Sequence, residues 1–108
     1  MSYNIHVIPS FEKQLKRLSK KYKALKEEFA EFIDKMEENP FQGTSIANSC
    51  FKIRISIKSK GKGKRGGARI ITHVVISQQD VYLLAIYDKS EKDNLSNKEL
   101  KELLSFIT

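Results

Sequence analysis

Between Phe51 and Lys58 the chain alternates almost without fault. Phe51, Ile53, Ile55 and Ile57 fall on one parity, and Lys52, Arg54, Ser56 and Lys58 on the other. Successive side chains of a strand point to opposite faces, so this run commits the chain to a strand with one face in an apolar core and one face cationic. The next twenty residues sharpen the constraint. Lys58 to Gly67 carries five cations and four glycines, and Ala68 to Ser77 is rich in β-branched residues. A second strand joined by a flexible glycine–lysine hairpin loop is therefore predicted. Like charges repel, and glycine adds backbone entropy that folding must overcome. The function should offset that cost.

The flanking segments supply the rest of a fold. Tyr3 to Ile8 alternates as a short strand, ended by Pro9, with Ser10 as the expected N-cap of a helix. Phe11, Leu15, Leu18, Tyr22, Leu25, Phe29, Phe32 and Met36 then step by fours and threes, a helical stripe. One continuous helix over this stretch would run about 42 Å at ~1.5 Å per residue, too long for so small a chain to bury. A helical hairpin broken near Ser19 to Tyr22 is the expectation, and a sustained coiled-coil seam the competing pattern. Asn39-Pro40 stops the second helix. Phe41 to Ser49 reads as a loop. Gln78-Gln79-Asp80 reads as a turn, and Val81 to Tyr87, apolar on both parities, as a central strand. Ser96, with Glu99 three residues on, caps a last helix from Asn97 to about Phe106. The order β-α-α-β-β-β-α gives an α+β fold: a helical hairpin and a C-terminal helix on a small, mostly antiparallel sheet. Residues 1–108 read as a single domain.

Charge narrows the function. The net charge is +7, and from Asn39 to Gln79 there is no Asp or Glu against eight cations. The whole positive excess lies in this middle third, as expected for a polyanion or an acidic protein partner. No apolar run approaches a membrane span, and the N-terminus lacks a signal-peptide pattern. One cysteine, Cys50, points to a reducing, cytoplasmic setting and to a small loop or core residue rather than a nucleophile.

Several chemistries are not supported. The stretch around Gly61 to Gly67 lacks the Gly-Lys-Ser/Thr ending of a phosphate-binding loop. His6 and His73 have no cysteine or carboxylate at ligand spacing, so neither a metal nor a cofactor is expected. What remains is a cationic sheet face. Lys52, Arg54, Lys58, Arg69 and His73 can share one side of two adjacent strands, within reach of one or two phosphates. Arg69 is the first candidate for phosphate stabilisation, because guanidinium binds phosphate in a bidentate way. His73 is either an acid–base group or a hydrogen-bonded strand residue.

The chain resembles the RelE/ParE superfamily of type II toxin–antitoxin toxins, in its RelE/HigB-like branch. The likeness is carried by FEKQLKRLSKKY, ENPFQGT, FKIRISI, GKGKRGGARIITHVV and VYLLAIYDKSEKDNLSNKELKELL, the last two being the more specific. The resemblance implies a helical hairpin on a small sheet and cleavage of messenger RNA, usually on the ribosome. It also implies a neutralising antitoxin, and operator DNA bound only through the antitoxin complex. It sets Tyr87 and Lys89 where the family's last strand ends. The candidate catalytic set is Lys52, Arg54, Arg69, His73 and Tyr87, with Lys58, Lys60, Lys62, Lys64, Arg65, Lys89 and Lys92 as RNA-binding cations. Tyr87 would stack on a base or give up a proton, or else belong to the core. The alternatives are a ParE-type gyrase inhibitor without nuclease activity and a basic domain that binds nucleic acid without cutting it.

Overall fold

The computed structural model describes residues 3–57 and 67–107. The predicted glycine–lysine loop, with Lys58, Lys60, Lys62, Lys64 and Arg65, lies outside them. Five strands and three helices run in the order β1 (Asn4–Val7), α1 (Pro9–Lys21), α2 (Leu25–Glu38), β2 (Thr44–Ile46), β3 (Cys50–Ile55), β4 (Ala68–Val75), β5 (Asp80–Asp88) and α3 (Asn97–Leu104). They form one sheet in the order β1-β5-β4-β3-β2. Every neighbouring pair is antiparallel except β1 with β5. The fold is α+β, three helices on a five-stranded mixed sheet.

The helical stripe does break where a small core requires it. Tyr22 leaves the helical region (φ −124°, ψ 99°) and its N–H still bonds to the Leu18 carbonyl at 2.8 Å. Phe11, Leu18, Leu25, Phe32 and Met36 are buried against the apolar face of the sheet. That face carries the cross-strand row Ile53–Ile70–Ile86.

Four local expectations need correction. Ser10 does not cap α1: Ile8 is the N-cap and Pro9 the first helical residue, where a fixed φ and a missing N–H cost nothing. Phe41 to Ser49 is not all loop, since Thr44–Ile46 pairs with Cys50–Lys52 as the edge strand β2. Three short residues, two of them polar, give no alternation long enough to read. The β4 strand ends at Val75, and a 3-10 turn (Ile76–Gln78) leads through Gln79, at φ 56°, into β5. The last helix ends at Leu104, while its capping box between Ser96 and Glu99 forms as expected.

Two glycines mark close approaches. A Cβ on Gly43, at φ +88°, would lie 2.3 Å from the Lys52 carbonyl oxygen, and one on Gly67 would lie 2.0 Å from that of Ile55. No other residue type fits there.

Asp88 ties the layers together. It is fully buried at the end of β5, where its carboxylate accepts the Tyr22 hydroxyl at 2.7 Å and the Ser90 amide and hydroxyl at 2.9 and 2.8 Å. The break in the helical hairpin is thus fastened to the last strand. Asp88→Ala should lower stability by about 3 kcal/mol in urea unfolding, because buried donors lose a charged acceptor. A change below about 0.5 kcal/mol, the range of an ordinary surface substitution, would count against this role.

Candidate functional site

The second face of the sheet carries the predicted cations, and strand register decides which of them meet. Arg54 pairs with Arg69, and Arg69 with Tyr87, so the three form one row across β3, β4 and β5. Lys52, Ile71 and Ala85 form the next row. Adjacent strands lie ~4.8 Å apart and adjacent rows ~7 Å, so Lys52, Arg54, Arg69 and Tyr87 fall within reach of one phosphodiester.

The row runs from solvent inward. Arg54 is exposed, whereas Arg69 is 3% and Tyr87 6% accessible. An Arg69 Nη1 proton goes to the Ala68 carbonyl oxygen at 3.1 Å, holding the guanidinium against its own strand. Burial lowers the pKa of Arg69, and the like charge of Arg54 lowers it further, with Tyr87 opposing. The group stays charged all the same, since an arginine is not deprotonated in proteins. Two guanidiniums side by side on neighbouring strands repel, and an anion between them relieves that repulsion.

Tyr87 behaves differently. Burial holds its hydroxyl above the ordinary tyrosine value. Arg69 pulls it down, while Asp93 and Glu99 push it up. Its hydroxyl lies 3.5 Å from the Asp93 carbonyl oxygen, and the Lys52 ammonium donates to Asn94 Oδ1 at 2.8 Å. Residues 89–96 therefore lie along the site. They are tied to α1 by Arg17 with Glu91 and to α3 by Lys92 with Glu99.

The remaining candidates are spread out. His73 is on the same face, but two rows from Arg69, ~13 Å along the strand. There it pairs with Cys50 and Tyr82, with Nδ1 3.6 Å from Cys50 Sγ. Cys50 is fully buried and its thiol is pushed up to about 11 by that burial, so it stays protonated. Lys89 is half-buried at the site's margin, with its amide bonded to the Gly67 carbonyl. Lys92 spends its ammonium on Glu99. Asn94 and Asp93 were not anticipated, because their segment carries no periodicity and reads only as the approach to α3. Among the described residues no group of three His, Cys, Asp or Glu side chains could hold a metal ion, and no helix is long and apolar enough to cross a membrane.

Comparison with known proteins bears on the family and the fold. A family model described as the RelE toxin of the RelE/RelB toxin–antitoxin system matches residues 11–107. Among solved structures, a double Arg-to-Ala mutant of the E. coli toxin RelE in the free state is similar at a TM-score of 0.65 and 14% identity, covering 100% of both chains. The isolated E. coli RelE toxin is similar at 0.63 and 14%, covering 99% of this chain and 100% of that one. The toxin–antitoxin complex RelBE2 from Mycobacterium tuberculosis is similar at 0.54 and 17%, covering 82% of this chain and 99% of its match. At such identities the structural likeness shows the fold alone.

The Tyr87 environment has a pH consequence. The fold favours the neutral phenol, so this group's contribution is intact below an unfolded value of ~10 and is lost as pH rises through the raised folded one. Denaturant titrations should show stability falling above about pH 10, and Tyr87→Phe should remove part of that fall. An identical alkaline decline in the variant would place the titration elsewhere.

Proposed function

Because the chain belongs to the RelE toxin family of toxin–antitoxin systems, we propose that it is an endoribonuclease that cuts messenger RNA on the ribosome and so stops translation. The observation that carries this reading is the Arg54–Arg69–Tyr87 row with Lys52 beside it. Two opposed guanidiniums gain from an anion placed between them. A phosphoryl group is such an anion.

The scheme uses side chains of the chain and solvent water. The ribose 2′-OH attacks the adjacent phosphorus, and the bond from phosphorus to the 5′ oxygen breaks. A 2′,3′-cyclic phosphate and a 5′-hydroxyl result. Arg54 and Arg69 neutralise the charge that builds on the equatorial oxygens, an effect worth several kcal/mol at a preorganised site. Tyr87, with its hydroxyl held protonated, serves as the acid that protonates the leaving 5′ oxygen. The 2′-OH proton passes to solvent water, and the Lys52 ammonium, on the row next to the arginines, stabilises the alkoxide that develops. Lys58, Lys60, Lys62, Lys64 and Arg65 hold the flanking backbone, with Lys89 and Lys92 at the margin. His73 lies too far along the strand for the same phosphate, and it would meet RNA one nucleotide or more away.

The partner is a cognate antitoxin, as in the M. tuberculosis complex that the chain resembles. An acidic segment of such a partner laid on this cationic face would block it. Operator DNA is bound through that complex.

Expression without an antitoxin should arrest growth and translation with loss of intact mRNA, and Arg69→Ala should relieve the arrest while the fold survives. DNA-damage signalling without mRNA loss would instead support a gyrase inhibitor. Undiminished toxicity would remove Arg69 from the site. With about six cations on phosphates, log affinity for single-stranded RNA should fall against log salt with a slope near −4. A flat response would contradict the charge argument.

A further inference from the structure

We infer that Asn94 is a positioning residue for the reaction: its carboxamide holds the Lys52 ammonium beside the arginine row without neutralising its charge. The inference rests on the nuclease reading for its catalytic meaning, and on the fold of residues 89–96 for its evidence.

Lys52 on its own would not stay beside the arginines. Its ammonium ends a flexible four-carbon stem and is strongly hydrated. Arg54 lies two residues along the same strand face, ~7 Å away, and Arg69 sits diagonally across on β4. Both repel the ammonium, so electrostatics alone drives it out toward water. Among the described residues no carboxylate pairs with it. Its one hydrogen bond among those residues is to Asn94 Oδ1, at 2.8 Å.

Asn94 is exposed, yet its backbone is fixed on both sides. Leu95 packs against the core. The Asp93 carbonyl accepts the Tyr87 hydroxyl at 3.5 Å. Beyond them, Ser96 caps α3 and Lys92 pairs with Glu99. Lys52, Asn94 and Tyr87 line one cavity of about 150 Å³, together with Ile71 and Leu100. Two consecutive residues thus hold the two groups that the scheme needs beside the arginines. Asp93 holds the acid and Asn94 the ammonium.

The residue type matters as much as the place. An amide oxygen accepts a hydrogen bond and carries no charge. A carboxylate there would hold Lys52 more strongly, but it would cancel the charge that the developing alkoxide requires. Asp93, one residue earlier, meets the site through its backbone carbonyl and leaves Lys52 to the neutral amide.

The test compares the whole chain with Asn94→Ala, Asn94→Asp, Lys52→Ala and the Lys52→Ala/Asn94→Ala double variant, cutting mRNA on ribosomes. Asn94→Ala should lower kcat about tenfold, the worth of one hydrogen bond to a charged group, with KM within about twofold of the native value. Its urea midpoint should not move. Asn94→Asp keeps the size and the acceptor, and should lower kcat while also raising KM, because one cation is cancelled. In the Lys52→Ala chain, Asn94→Ala should cost no more than about twofold. An equal loss with and without Lys52 would make Asn94 a structural residue and overturn the proposal. So would an undiminished kcat in Asn94→Ala, or a fully active Asn94→Asp. A second measurement does not depend on cleavage: NMR of labelled lysine side chains reads the mobility of the Lys52 stem. It should be restricted in the native chain and mobile in Asn94→Ala. A chain with Lys52 restricted in this way that cuts no RNA keeps the hold and loses the nuclease reading. A chain that cuts RNA with Lys52 equally mobile in both forms loses the hold and keeps the nuclease reading.

Discussion

The register between β3 and β4 is the constraint on which the site depends. It sets Arg54 directly across from Arg69, a placement that costs energy, since like charges on facing strand positions repel. The other side of the same strands holds the register in place. Ile53, Ile70 and Ile86 form a buried row under the helical hairpin, with Ile55 and Ala68 next to them. A slip of one residue would turn those side chains to solvent and the arginines into the core. The apolar face thus enforces the electrostatic conflict on the cationic one. On the proposed reading a phosphoryl group relieves that conflict, and the repulsion becomes a source of affinity for the transition state rather than a defect.

The helices divide the work. The hairpin of α1 and α2 covers the apolar face and is fastened through Tyr22 to Asp88. The short α3 and the segment before it lie on the opposite face, alongside Lys52 and Tyr87. Ion pairs from Glu91 to Arg17 and from Lys92 to Glu99 tie that segment to α1 on one side and to α3 on the other. Tyr87 is therefore desolvated by the same elements that fix its position. Its raised pKa results from that packing and suits a proton donor better than a base.

Much of this was legible in the residues. The alternation from Phe51 predicted both the strand and its division into apolar and cationic faces, because one side chain in two must go to the core. The break in the helical stripe was legible from length alone. Ser96 and Glu99 announced their helix, since a capping box is a local interaction. Other features depend on contacts distant in sequence. The edge strand Thr44–Ile46 exists because β3 offers it a ladder, and its own residues give no sign of it. The register shift between Ile71 and Thr72, where β5 carries Leu84 as an extra residue, puts Tyr82 and Tyr87 on one face despite their opposite parity. No periodicity argument finds such a bulge. The same limit applies to His73: strand parity gave its face correctly, while its distance from Arg69 is a matter of rows. Asn94 gains its place only once α3 has docked.

The central claim is that Arg54 and Arg69 act on one phosphoryl group. A double-mutant cycle on RNA cleavage, with each arginine replaced by Ala singly and then together, measures this directly. Shared action requires non-additivity: the double variant should lose less than the sum of the two single losses, with a coupling of about 1 kcal/mol or more. Losses that add within about 0.5 kcal/mol would mean that the two guanidiniums work on separate groups, and the account of the site would be wrong.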